Sequence, residues 1–206
     1  MAGRIAIIVL AAGESRRLGR AKQLVKLGGA SLVRRAVQTA LAAASVNPGA
    51  RSGAALHGVA SAAEVLVVLG AHGDAVRNEL TGLPVRFVEN PDYSQGMGTS
   101  IRAAVAAVQA YDSAILMPCD QPQLSPEILL SLMQNRVAHG AAAVACDYGG
   151  GVMGPPTLFG RELFDELQAI PPDSGAKVVL QRHRDELRLV SFPGGAIDID
   201  TPADLP

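Results

Sequence analysis

The segment Leu10-Ala11-Ala12-Gly13-Glu14-Ser15-Arg16-Arg17-Leu18-Gly19, followed shortly by Lys22, carries the residue types that holding a polyphosphate requires. Small residues let the backbone approach phosphate oxygens, successive N–H groups can face them, and Arg16 and Lys22 add charge-assisted donors. No Walker-type Gly-Lys-Ser/Thr spacing is present, so a nucleoside triphosphate would be held by a loop of a different kind. The plainer alternative is a tight strand-to-helix turn with solvated basic residues. Asp120 ends the apolar run Ala114–Cys119, where a carboxylate can meet Mg²⁺ beside a nucleotide or simply cap the next turn. A second acidic element, Ile197-Asp198-Ile199-Asp200-Thr201-Pro202, favours the metal. In extended chain Asp198 and Asp200 point to one face, so both could approach one cation, although Asp200 serves equally as a cap before Thr201-Pro202.

Other polar segments are less specific. Asn90 to Arg102, with Gly96, Gly98, Thr99 and Ser100, joins a strand to a helix and can surround a base and ribose with backbone and hydroxyl groups, or be only a turn. Gly149 to Gly154 spells GxGxxG, but Pro155-Pro156 and the β-rich Thr157-Leu158-Phe159 follow where a dinucleotide fingerprint needs a helix, so the match is accidental. Cys119 and Cys146 have no paired spacing and read as small hydrophobes in strands. His57, His72, His139 and His183 show no metal-ligand spacing.

The elements that must position these residues are legible as apolar runs. Arg4–Ala11, Glu64–Gly70, Pro84–Glu89, Ser113–Cys119 and Ala141–Tyr148 read as buried strands. Between them, Ser31–Ala43 places Leu32, Val33, Ala36, Val37, Ala40 and Leu41 on one helical stripe, and Ser125-Pro126-Glu127 opens a helix that Gly140 ends. Shorter helices are expected at Arg161–Ala169 and after Asp173-Ser174. The alternation predicts an α/β fold, three-layer α/β/α and Rossmann-like, with a mostly parallel sheet, a small antiparallel excursion after Tyr148, and ligands at the carboxyl ends of the strands. Residues 1–206 form one expected domain, with 45–62, rich in Ala, Gly and Ser and without a period, expected as a mobile insertion.

Composition excludes several functions. A net charge of −1 with interspersed signs lacks the basic footprint of nucleic-acid binding. With 49% apolar residues the chain can bury a sizeable core, which argues against disorder. The run Ile5–Ala12 is too short to cross a bilayer and lacks secretory flanks, so no membrane association and a cytoplasmic location are expected.

Taken together the motifs resemble the MobA-like NTP transferases, and within them the molybdenum cofactor cytidylyltransferase branch. The residues that carry the resemblance, in order, are Leu10–Gly19, Lys22, Gly96-Met97-Gly98-Thr99-Ser100, Asp120-Gln121-Pro122, Gly154-Pro155-Pro156-Thr157-Leu158-Phe159, Asp173-Ser174-Gly175-Ala176-Lys177 and Asp198-Ile199-Asp200-Thr201-Pro202-Ala203-Asp204-Leu205. Leu18 stands where the family usually has methionine, and Pro155 where relatives often carry a polar residue. The resemblance implies transfer of CMP from CTP to the terminal phosphate of molybdopterin, with release of pyrophosphate and a requirement for Mg²⁺ or Mn²⁺. It assigns Arg16, Lys22 and Asp120 to catalysis. Nucleotide binding falls to Leu10, Ala11, Ala12, Gly13, Ser15, Arg16, Lys22, Gly96 and Ser100. Gly154, Pro156, Asp173, Gly175 and Lys177 face the acceptor, and Asp120, Asp198 and Asp200 the metal. A molybdenum hydroxylase would be the client of the product. Leu-Ala-Ala-Gly, rather than the Leu-x-Gly-Gly of the related guanylyltransferases, favours CTP. Two rivals stay open: NMP transfer from GTP or another NTP to a different phosphorylated acceptor such as a sugar phosphate, and a non-catalytic molybdenum cofactor carrier.

Overall fold

The computed structural model describes residues 3–15, 18–46, 63–199 and 201–204, the side chain of Pro202 excepted. Arg16, Asp200 and most of the expected insertion, residues 47–62, lie outside the described residues.

The first strand, β1 (Ile5–Leu10), shows why the fold has three layers. Ile5, Ile7 and Val9 belong to one buried apolar cluster and Ala6 and Ile8 to another, so alternate side chains feed cores on opposite faces of one sheet. Such a strand is stable only with both faces covered. Helices α1 (Leu32–Ala44), α2 (Gly73–Glu79) and α4 (Pro126–His139) contribute Val33, Val37, Val76, Leu129 and Leu132 to the first core. Helices α3 (Met97–Ala106), α5 (Phe164–Gln168) and α6 (Lys177–Arg182) contribute Ile101, Phe164, Leu167 and Val179 to the second.

The main sheet also contains β4 (Glu64–Leu69), β5 (Arg86–Glu89), β6 (Ser113–Pro118), β7 (Ala143–Asp147), β8 (Met153–Gly160) and β9 (Arg188–Ser191). Its order is β5-β4-β1-β6-β8-β7-β9. The chain moves outward from β1 through β4 to β5, then returns across β1 to lay down β6 on its other side. The order reverses between β1 and β6, which pair in parallel from Ile5↔Ser113 to Leu10↔Pro118. Crossovers diverge at such a point and leave a crevice at the carboxyl ends of the strands, where α/β folds bind ligands.

The expected antiparallel excursion is present as β8, wedged antiparallel between β6 and β7. Pro155 and Pro156, which lack N–H groups, fall between its paired residues and so interrupt no ladder bond. Gly149, Gly150 and Gly151, at φ 97°, 61° and 80°, form the hairpin turn before it, so the GxGxxG spelling serves a turn and no helix follows. Ser31 caps α1 by accepting from Arg34 N at 3.2 Å, and left-handed Gly140 closes α4. Ser125 occupies the N-cap of α4 without making a side-chain cap. Its hydroxyl instead helps hold the Glu127 carboxyl below its ordinary pKa.

Four elements escape the periodicity reading. A two-stranded hairpin, β2 (Lys26–Leu27) with β3 (Ala30–Ser31), is too short to show a period, as is α2. The four-residue edge strand β9 buries only Val190, and α3 starts at Met97, inside the stretch read as a loop. Among the described residues no helix is long and apolar enough to cross a membrane.

The start of α3 is fixed by close backbone contact. Gly98 N donates to Pro172 O at 2.8 Å, and a Cβ on Gly98 would meet Pro171 O at 2.1 Å. Gly13 has open space around the equivalent position. Gly98→Ala should therefore cost about 1–3 kcal/mol by forced displacement of Pro171-Pro172. Gly13→Ala should stay within about 0.5 kcal/mol. Thermal unfolding of both variants beside the parent checks this, a fall of several degrees being expected for Gly98→Ala alone.

Candidate active site

The loop leaving β1 lies over the crevice. Ala11 N continues the ladder by donating to Val68 O (3.0 Å), and Ala12 O accepts from Ala71 N (3.2 Å), so Ala11 and Ala12 are pinned to the neighbouring strand before the chain turns outward. Gly13 is exposed, and Ser15 adopts φ 56°, the left-handed region that non-glycine residues seldom enter. Its hydroxyl accepts from Lys22 N at 2.9 Å, drawing the far end of the loop back. Gln23 sits beneath with its side chain buried, its amide donating to Ala11 O and Gly13 O.

Lys22 and Asp120, 98 residues apart, meet across the crevice. Lys22 Nζ lies 2.5 Å from Asp120 Oδ2, with the two side chains 18% and 16% exposed. This contact follows from the β1/β6 pairing, because the loop leaves β1 and Asp120 leaves β6 at the same level of the sheet. The charges are shielded enough to hold each other firmly, yet both still reach the cavity.

That cavity has a volume of about 660 Å³. Of the residues expected at the site, Leu10, Ala12, Gly13, Ser15, Lys22, Gly96, Ser100, Asp120, Gly154, Gly175 and Lys177 border it. Ala11, Pro156, Asp173 and Asp198 do not: Ala11 and Pro156 are buried in the layers behind, and Asp173 and Asp198 are exposed. One wall is polar, formed by the loop with Lys22 and Asp120. The other is apolar, with Ile101, Leu116, Met153, Phe159 and Leu180, where the cavity runs under α3 and α6 along the sheet.

Asp198 stands near Asp120 without bordering the cavity. Ile199 N donates to Asp120 O at 3.1 Å, and the Ile199 side chain is buried with Leu18, Val25 and Leu32. Leu18 thus fills an apolar site that ties the first loop to the C-terminal segment. Burial first, and more weakly the charges of Cys146, Asp198 and Asp120, push the Tyr148 phenol well above its ordinary pKa, against the hydrogen bond from Gln121. Among the described residues no group of three or more His, Cys, Asp or Glu side chains is arranged to hold a metal.

Several supporting residues stand outside the expected site set. Tyr148 donates to Pro155 O and accepts from Gln121 Nε2 at 2.8 Å. Gln121 also donates to Gly195 O at 2.9 Å. A Cβ at Gly154 or Gly195 would collide with the Tyr148 ring, which packs edge-on against Phe192 at 6.1 Å between centroids. This strut joins the Asp120 turn, the start of β8 and the C-terminal segment. Across the cavity Asn90, also buried, donates to Thr99 Oγ1 and Ser100 Oγ, both at 2.9 Å, and fixes the first turn of α3. The signal for Gln121 was its place directly after Asp120; for Gln23 and Tyr148 there was only adjacency to Lys22 and to the glycine turn.

The MobA-like NTP transferase domain model matches residues 7–187. The bifunctional protein GlmU of Coxiella burnetii is 30% identical over 165 residues, covering 79% of this chain and 31% of that protein. The chain therefore spans about a third of the length of such relatives. Nicotine blue oxidoreductase of Paenarthrobacter nicotinovorans is 34% identical over 139 residues, covering 65% of this chain and 60% of the relative. Among solved structures, Rv0371c from Mycobacterium tuberculosis H37Rv has a TM-score of 0.75 at 26% identity, covering 99% of this chain and 96% of that one. The same mycobacterial protein in complex with manganese has a TM-score of 0.70 at 24% identity, covering 98% and 95%.

Cys119 borders the cavity beside Asp120, yet its thiol is pushed up to about 12 by burial and, secondarily, by the Asp120 charge. Burial alone pushes Cys146 up to about 12. Both thiols are therefore held in the protonated form at neutral pH, the less nucleophilic state. A disulfide reagent such as Ellman's should label neither cysteine in the folded protein and both after denaturation. Rapid native labelling of Cys119 would show that the Asp120 turn opens.

Proposed function

Because the chain belongs to the MobA-like NTP transferase family, we propose that it transfers CMP from CTP to the terminal phosphate of a molybdopterin-type cofactor and releases pyrophosphate. The observation that carries this reading is the meeting of the β1 loop, Lys22 and Asp120 on one wall of a cavity at the point where the strand order reverses.

An oxygen of the acceptor phosphate attacks the α-phosphorus of CTP, a new P–O bond forms, and the bond from the α-phosphorus to the bridging oxygen breaks. Both electrons leave with pyrophosphate. A phosphate nucleophile is already ionised at neutral pH, so no general base is required, and positioning and charge neutralisation carry the catalysis. The loop N–H groups, Lys22 and Arg16 hold the β- and γ-phosphates. Lys22 then exchanges one anionic partner, Asp120, for another.

Carboxylate oxygens are hard donors that suit a small divalent cation, and the backbone bond from Ile199 N to Asp120 O brings the segments that carry Asp120 and Asp198 together. Asp120, Asp198 and Asp200 would hold Mg²⁺ or Mn²⁺, which supplies neutralisation of charge on the transferring phosphate. Ser100 and Gly96 face the nucleoside. Ala12 borders the cavity at the strand end, and its place in Leu-Ala-Ala-Gly, where the related guanylyltransferases have glycine, supports CTP. The apolar wall of Leu116, Phe159 and Leu180 favours a fused ring system over a sugar, whose hydroxyls would need partners there. Gly154, Gly175 and Lys177 border that side, and a product nucleotide of the cofactor would pass to a molybdenum hydroxylase.

Pyrophosphate release with CTP, GTP, ATP or UTP, each with and without molybdopterin cofactor and Mg²⁺, tests the reading. Release is expected only with CTP and cofactor together; release with a sugar phosphate, or with GTP instead, would replace the acceptor or the base. Asp120→Ala should keep the fold and lose at least about 10²-fold in turnover. Full activity of that variant would remove Asp120 from the chemistry.

A further inference from the structure

We propose that Gln23 is a positioning residue that latches the β1 loop in its triphosphate-receiving shape before any ligand arrives; this rests on the nucleotide reading of that loop. The Gln23 side chain is buried, the residue being 2% exposed, although its neighbours Lys22 and Leu24 are half-buried. Its Nε2 donates to Ala11 O at 3.0 Å and to Gly13 O at 2.7 Å, and its Oε1 accepts from Ser15 Oγ at 3.3 Å. Both amide protons and one acceptor site are thus used on the loop itself.

Peptide geometry gives these bonds a direction. In a planar trans peptide the N–H points opposite to the preceding C=O. Drawing the carbonyls of Ala11 and Gly13 toward Gln23, which itself borders the cavity, turns the N–H groups of Ala12 and Glu14 away from Gln23 and so fixes which way the loop's backbone donors face. Ser15 closes the device. Its left-handed backbone, φ 56°, is held by a hydroxyl that donates to Gln23 and accepts from Lys22 N at 2.9 Å. The adjacent side chain in sequence, Lys22, reaches Asp120, so one three-point anchor sets both the backbone donors and the cation that would meet the triphosphate. An apolar residue of the same volume at position 23 would fill the space and leave the carbonyls without a donor from that side.

Gln23→Met conserves volume and removes the amide. Hydrogen exchange of the free protein, followed by mass spectrometry, should show residues 11–22 exchanging at least about tenfold faster in the variant, with β6 unchanged. Calorimetry should show Mg–CTP affinity falling at least about tenfold while CMP affinity changes less than about threefold, since the loop meets the β- and γ-phosphates. Parental exchange rates across 11–22 in folded Gln23→Met would overturn the latch, and so would unchanged Mg–CTP affinity. Failure of the parent protein to bind any nucleotide would overturn the nucleotide reading instead and leave the latch to the exchange data. If Gln23→Met does not fold, Ser15→Ala, at a half-buried position, carries the same test: faster exchange confined to 11–22 supports the latch and parental rates overturn it.

Discussion

Parallel pairing of β1 with β6 is the constraint on which the rest of the molecule depends. The two strands are separated by about a hundred residues of chain, and nothing local brings them together. Each has side chains buried on both faces, so their register follows from fitting two cores at once, and a slip by one residue would exchange the two faces of the sheet. Once Leu10 stands opposite Pro118, the loop after one strand and the acid after the other emerge at a common level. The 2.5 Å contact between Lys22 and Asp120 is a consequence of that register.

The antiparallel insertion of β8 shapes the other half of the cavity. A further parallel strand beside β6 would need a helical crossover on one face. A strand entering antiparallel beside β6 instead brings its beginning, Met153 to Pro155, to the carboxyl end of β6, next to Asp120. Pairing with β6 ends at Thr157, next to the prolines, and pairing with β7 resumes beyond them at Gly154, so neither proline is asked for a donor. Tyr148 then fastens this edge, and the bare Cα faces of Gly154 and Gly195 let its ring pass between two backbones.

How much of this was legible follows from where each signal resides. Four of the five strand runs and α1 are written in local periodicity, because a strand buried on both faces must be continuously apolar. The fifth, β5, was expected to be buried and is instead an edge strand, with Arg86 and Glu89 exposed and Phe87 and Val88 half-buried. The ends of all six agree with the structure to within two residues. The first loop, Lys22 and Asp120 were legible because residue type and position after a strand coincide. β9 was not: an edge strand of Arg188, Leu189, Val190 and Ser191 owes its conformation to pairing with β7, with one buried side chain to mark it. The start of α3 at Met97 was hidden for a similar reason, since Gly98, Thr99 and Ser100 have poor helix propensity and are held by Asn90 and the Pro171-Pro172 backbone. Gln23 and Tyr148 carry no pattern at all; their roles exist only in the tertiary contacts.

A common chemical choice underlies these hidden supports. Gln23, Asn90 and Gln121 are 2%, 4% and 7% exposed, and each holds one of the segments that border the cavity: the first loop, the start of α3 and the Asp120 turn. Each uses an amide NH₂ to bind two or more acceptors at once. A buried lysine or arginine could donate as many bonds, but its charge would carry a large desolvation cost and would add a fixed positive field under the cavity. A carboxylate could not donate to carbonyls at all. Neutral amides therefore fix the three segments without adding charge beneath a cavity whose border already carries Glu14, Lys22, Asp120 and Lys177. The division separates rigidity, which the amides supply, from charge, which the site must be free to rearrange.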